Sequence, residues 1–188
     1  MRMTEPVTRI AVDVTFLRMD QAPTAALPLP PGVTVTRLQP RATVAQYRHL
    51  YDGVGQDHVW WLRRTLADAT LDALLADPAI SVHVAQDATG ALGFYELDRR
   101  AAGLVNLAYF GLLPGAIGQG LGYALLHHAI AAAWAEGCAA MTVNTCTADH
   151  PRALPNYLRA GFRKLRTLRE EWPVPDRLGL SIPEGLRV

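Results

Sequence analysis

The chain has 188 residues, 50% of them hydrophobic and 19% charged, with 18 basic against 17 acidic residues for a formal net charge of +1. Such a composition excludes a disordered chain, and the even charge, without a basic block or stripe, argues against nucleic acid or an anionic membrane as a partner. The cysteines, Cys138 and Cys146, make neither a disulfide framework nor a zinc spacing. No signal-peptide pattern opens the sequence and no apolar run is long enough to span a bilayer, so a cytoplasmic protein is expected.

In chain order, the β-branched run Ile10 to Leu17 predicts a strand, and the prolines between Gln21 and Gly32 predict an extended linker. Residues 1–32 are thus read as an N-terminal strand and proline-rich linker, and 33–188 as the main unit, within one structural domain overall. Val33 to Leu38 alternates and predicts a second strand. The spacing of Val44, Tyr47, Leu50 and Tyr51 predicts a helix over Thr43–Tyr51, stopped by Gly53 and Gly55. After the bulky patch from His58 to Leu62, a short helix over Thr70–Leu75 is expected, with Thr70 as its N-cap. Ser81–Gln86 and Gly90–Leu97 predict a hairpin. A strand over Leu104–Leu113, a helix over Leu121–Glu136 apolar on nearly every face, and a buried strand over Ala140–Cys146 follow. A short helix over Pro151–Arg159 and a last strand over Phe162–Trp172 complete the list. Strand, glycine-rich turn, long helix and strand make a right-handed βαβ crossover, and the meander before it makes the sheet mixed.

The most informative stretch is Leu112 to Leu126, in which Gly118, Gly120 and Gly122 alternate where a strand has ended and a helix begins. Glycine permits positive φ and close approach of a ligand to the backbone. The first amides of a helix lack internal partners and sit at the positive end of its dipole, which suits a phosphate or pyrophosphate. A dinucleotide fingerprint is not met, because the sixth position from Gly118 is Tyr123 and the expected acid about 20 residues on is missing. A P-loop is excluded because no lysine is near. Taken alone, the triplet is equally compatible with close helix–strand packing.

Together with a second signature it resembles the GNAT superfamily of acyltransferases. The family's coenzyme A motif, Arg/Gln-x-x-Gly-x-Gly/Ala after a proline, falls on Ile117, Gly118, Gln119, Gly120, Leu121 and Gly122, with Pro114 before them. The segment from His150 through Asn156 and Tyr157 to Gly161-Phe162 resembles its Asn-x-x-Ala-x-x-x-Tyr…Gly-Phe signature. Ile117 and His150 depart from these patterns. The resemblance covers roughly residues 33–172 and implies an α/β (α+β) fold with a mixed, mostly antiparallel central sheet flanked by helices. It implies acetyl-CoA as acyl donor and an amine, small molecule or peptide, as acceptor, and it suggests a homodimer. Cofactor contacts are expected from Phe110, Leu112, Ile117, Gly118, Gln119, Gly120, Leu121, Gly122, Tyr123, His150 and Asn156, with a strand bulge at Phe110 and Gly111.

Acyl transfer to an amine needs a deprotonated nucleophile, donors at the developing oxyanion and an acid for the departing thiolate. Tyr157, at the family's tyrosine position, is the expected acid; the same ring would also serve as packing beside Phe162. Glu96 is the expected base, on the assumption that it faces an acceptor cleft with Phe94 and Asp98; an ordinary exposed hairpin face reads equally well. Acceptor recognition is expected from Tyr51, Asp57, His58, Trp60 and Trp61, with Glu170, Glu171 and Trp172 as a second rim. Cys146 and His150 leave open a covalent route, although a cysteine between threonines reads more simply as a small buried residue. His127 and His128 are adjacent and face different sides of their helix, and no metal is expected. A coenzyme A- or nucleotide-binding module of the same fold without turnover, and a structural protein with an empty glycine turn, are the competing readings.

Overall fold

The computed structural model describes residues 5–24 and 27–188. Seven strands form one sheet: β1 (Val7–Met19), β2 (Thr34–Arg37), β3 (Ile80–Asp87), β4 (Gly90–Asp98), β5 (Leu104–Leu112), β6 (Ala140–Cys146) and β7 (Arg163–Pro175). Their order is β2-β3-β4-β5-β6-β1-β7, and only β5 and β6 run parallel. The sheet is therefore mixed and mostly antiparallel, as expected. The N-terminal strand, set apart in sequence by the prolines, lies between β6 and β7.

Four helices, α1 (Val44–Gly55), α2 (Asp68–Leu75), α3 (Leu121–Ala135) and α4 (Ala153–Arg159), cover the two faces. Alternation in β4 divides them. Tyr95 and Leu97 pack with α3 and α4 against Leu17, Leu107, Met141 and Val143, while Phe94 packs with α1 and α2 against Val82 and Val84. A capping box at Thr43 and Gln46 fixes the start of α1. Helix α2 begins two residues before the expected cap: Ala67 precedes its first turn with no side-chain cap bond, Asp68 lies in that turn, and Thr70 is inside the helix.

β7 runs past Trp172 through Pro173 and Pro175, which pair with Arg9 and Val7 of β1. Proline is tolerated there because, among the described residues, β7 is an edge strand with no ladder partner on its other side. In β5 the bulge falls at Ala108 rather than at Phe110 and Gly111, since Glu96 pairs with Tyr109 and Leu97 with Leu107. Among the described residues no helix is long and apolar enough to cross a membrane, and no cluster of three His, Cys, Asp or Glu could hold a metal ion.

Candidate active site

Strands β5 and β6 pair only from Leu104–Leu107 with Ala140–Val143. Beyond that register β5 continues to Leu112 and β6 to Cys146 without bonding each other, so the sheet splays open. The gap lies at the carboxyl ends of these two parallel strands, the side on which α/β sheets commonly take ligands. A cleft of about 1150 Å³ occupies the opening and connects the α3/α4 face of the sheet to the α1 face.

On the first face the wall is the start of α3. Gly120 occupies the N-cap position at φ +79° and offers no side-chain bond, so the first amides of a 15-residue helix remain uncapped. Gly118 also has positive φ, +88°. A Cβ placed at Gly115, Gly118 or Gly120 would meet nothing within 4 Å, which leaves a cradle the backbone alone surrounds. Gly122 differs: its φ is not positive, and a Cβ there would touch Leu112 at 3.6 Å. Ile117, Tyr123, Phe110, Leu112, His150 and Asn156 join Gly118, Gly120 and Gly122 in the wall. Two of the expected contacts do not. The Gln119 amide turns back to the Gly115 carbonyl at 2.8 Å, and the Leu121 side chain is buried in the core, so these residues have only their backbone at the turn. Sequence reading missed Arg152 and Arg159, which add two cations to the cleft; the Arg159 guanidinium lies 4.3 Å over the Tyr123 ring in the first turn of α3. Uncapped amides, open glycines and two arginines fit an anionic, pyrophosphate-bearing ligand such as coenzyme A.

The other face is aromatic. Tyr51 is buried against Trp60, with ring centroids 5.2 Å apart, and against Tyr109 at 4.8 Å. His58, Trp60 and Trp61 line the cleft with Tyr51, and Phe16 and Trp172 complete the wall. Asp57 does not belong there: it is exposed and borders a separate hollow of about 430 Å³ beside Pro183 and Leu186. Phe16 was missed because β1 was set apart from the rest of the chain in the sequence reading, and only the sheet order brings it to the site.

Glu96 also departs from expectation. It does alternate to the face of Phe94, but α1 covers that face, leaving the carboxylate fully buried and outside the cleft wall. Its oxygens accept the Tyr47 hydroxyl at 2.5 Å and the Arg63 guanidinium at 2.8 Å. Burial alone would lower the pKa of Arg63, but the Glu96 carboxylate, with Tyr47 and Tyr109, raises it instead. Arg63 itself reaches the cleft and lies 5.2 Å over the Tyr109 ring.

At the centre stand Tyr157 and Asp149. Tyr157 on α4 is wedged between Phe110 (6.3 Å) and Phe162 (5.9 Å), and it lines the cleft. Burial, reinforced by the charge of Asp149, pushes its hydroxyl well above the ordinary tyrosine range. Asp149, which the sequence reading did not single out, follows β6. It accepts the Thr145 hydroxyl at 2.7 Å, the Cys146 amide at 2.9 Å and the Trp60 indole N–H at 3.3 Å. Burial and then Asp149 push the Cys146 thiol up to about 12, so no thiolate is at hand near neutral pH.

Comparison with known proteins agrees with this fold. The model of the acetyltransferase (GNAT) family matches residues 47–162. Among solved structures, a GCN5-related N-acetyltransferase from Sphaerobacter thermophilus is 16% identical, with a TM-score of 0.64 over 91% of this chain and 53% of that one. One from Kribbella flavida is 16% identical, with a TM-score of 0.59 over 89% of this chain and 60% of that one. An aminoglycoside acetyltransferase from an uncultured soil metagenomic sample, in complex with trehalose, is 17% identical, with a TM-score of 0.55 over 69% of this chain and 88% of that one. The chain thus spans little more than half the length of the first two. No curated protein sequence matches it. With a family match over more than half of its length, and that family's splayed sheet and glycine turn in place, the chain belongs to the GNAT family of acetyltransferases.

Proposed function

We propose that this chain transfers an acetyl group from acetyl-CoA to a primary amine by direct attack. The observation that carries the reading is the continuity of one cleft. It joins an uncapped helix start with two positive-φ glycines to a buried tyrosine hydroxyl, and opens on the other face to an aromatic chamber. Acetyl-CoA supplies an activated thioester carbonyl; the protein positions, polarises and moves protons.

The amides at the start of α3, with Arg152 and Arg159, are suited to the pyrophosphate and phosphate groups. β5 beyond Leu107 has no partner on its β6 side, so backbone donors there are free for the carbonyl oxygen as charge develops on it. In the transfer the amine nitrogen bonds the acyl carbon and the carbon–sulfur bond breaks. The ammonium proton passes towards Asp149, directly or through water, and the departing sulfur is met by the Tyr157 hydroxyl. Glu96 acts at one remove, holding Arg63 and Tyr47 in place. The raised thiol of Cys146 favours direct attack over a covalent acyl-enzyme.

The test is release of free thiol from acetyl-CoA in the presence of an amine panel, with the N-acetyl product identified by mass spectrometry. Stoichiometric product and thiol support the reading. Acetyl-CoA bound but unconsumed with every amine would reduce the chain to a coenzyme A-binding module.

A further inference from the structure

The acceptor half of the cleft carries more information than its aromatic content. Phe16, Trp60, Trp61, Leu66, Tyr109 and Trp172 give it a predominantly apolar wall. The cations on this side are already engaged. Arg63 is bound by the buried Glu96 at 2.8 Å and Arg100 by Asp98 at 2.6 Å. Arg166 stacks 5.0 Å over Phe16 but does not line the cleft, and Arg152 and Arg159 stand with α4. Among the described residues, an acceptor bearing a carboxylate or phosphate therefore finds no uncommitted arginine just after β4 or on the segment after α1.

The carboxylates differ. Asp98 and Glu96 are neutralised by their arginines, which leaves Asp149 and Glu170, and each is held by an indole of the wall. Trp60 donates to Asp149 at 3.3 Å and Trp172 donates to Glu170 at 2.8 Å. A carboxylate fixed on the edge of an aromatic wall recognises one ammonium, by charge and by the faces of the rings, while the remaining wall takes up an apolar body. Polyamines and aminoglycosides carry several ammonium groups spread over a long or hydroxyl-rich frame. Desolvating those against this wall, with two carboxylates available, leaves polar groups unpaired.

We infer that the acceptor is an apolar primary monoamine with an aromatic body, of the arylalkylamine class. The inference rests on the transferase reading above and narrows it. Glu170 and Trp172 then act in specificity, Glu170 meeting the incoming ammonium and Trp172 the ring, and the same nitrogen gives its proton towards Asp149 as it attacks.

Two measurements test it, one independent of turnover. Phenethylamine, spermidine, kanamycin and L-glutamate are compared as acceptors by kcat/KM, and phenethylamine is titrated without acetyl-CoA against intrinsic tryptophan fluorescence. The expected result is saturable quenching and a kcat/KM for phenethylamine at least about ten-fold above the other three. Trp172→Ala should raise its KM about ten-fold, the effect of losing one aromatic contact of about 1.4 kcal/mol, with acetyl-CoA affinity unchanged. Because Trp172 also packs against the core, Glu170→Gln serves as the milder variant: it should weaken phenethylamine but not the uncharged 2-phenylethanol. Acetylation of spermidine, kanamycin or glutamate in preference to phenethylamine would overturn the inference and leave the transferase reading standing. If no amine is acetylated, the transferase reading fails, and the fluorescence titration decides the acceptor site alone: absence of saturable phenethylamine binding overturns it.

Discussion

Replacing Tyr157 by phenylalanine removes one oxygen from the centre of the cleft and little else. The ring is held by Phe110 and Phe162, and the hydroxyl makes no hydrogen bond among the described residues, so folding should lose less than about 1 kcal/mol. Catalysis should lose more. General acid groups typically contribute about 10²–10⁴-fold, and the structure favours the lower end of that range. Burial and Asp149 raise the Tyr157 pKa, making the phenol a weak donor towards a thiolate whose own pKa is about 8.5. It stabilises the departing sulfur by a hydrogen bond more than by complete proton transfer. A fall in kcat of about 10²-fold, equivalent to about 2.7 kcal/mol of barrier, is therefore expected with acetyl-CoA affinity intact. The assay is thiol release under single-turnover conditions, which isolates the chemical step. The same raised pKa predicts that wild-type activity shows no alkaline decline from this group below about pH 10. A Tyr157→Phe single-turnover rate equal to wild type, or a fall explained wholly by lost acetyl-CoA affinity, would refute the role.

Gly120→Asn tests the cradle without imposing the full strain of a β-branched residue, because asparagine tolerates positive φ. Its side chain enters the open space, and losing even one charge-assisted hydrogen bond of about 1.5–3 kcal/mol should lower acetyl-CoA affinity about ten- to hundred-fold by calorimetry. Glu96→Gln leaves Arg63 and Tyr47 around an uncharged group. Breaking a buried pair costs about 3–5 kcal/mol, and the partial exposure of Arg63 places this one at or below the low end, measurable as a shifted denaturation midpoint. A stable Glu96→Gln protein that loses only the acid limb of its pH–rate profile would instead make Glu96 the base. His83 is buried at 7% exposure, stacked on Tyr95, and its pKa is lowered to about 4 by burial and by the charges of Arg37, His128 and Arg99. The unfolded chain then binds the extra proton first, so this stability is present above about pH 6.5 and lost as pH falls towards 4. His83→Gln should flatten the loss in that window, and an unchanged acid profile would exclude His83 as its source.

The sequence carried the secondary elements well because local signals decided them: alternation in β2, the turn between β3 and β4, the glycine turn before α3, the apolar spacing of α1. The cofactor side was legible for the same reason, since its parts lie in two short stretches around Gly120 and Tyr157. The acceptor side was not. It is assembled from β1, the segment after α1, β5 and β7, so Phe16 and Arg63 join Trp172 only through a strand order that inserts β1 between β6 and β7. The expectation for Glu96 failed on a related point. Period-2 alternation gave its face correctly but not what covers that face, and α1 with Arg63 closes it off. Asp149 carried no motif signal; its importance comes from the splay of β6 away from β5 and from the indole of Trp60 across the cleft.

Catalytic transfer of an acetyl group to an amine leaves two products that can be followed together. Wild-type protein is incubated with acetyl-CoA and phenethylamine, free thiol is followed against time, and the product is identified by mass spectrometry. N-Acetylphenethylamine should form in step with free coenzyme A over many turnovers, and Tyr157→Phe should give about a hundred-fold less of both per unit time. Saturable acetyl-CoA binding with no acetylated amine from phenethylamine or any other member of the panel would rule out the transferase.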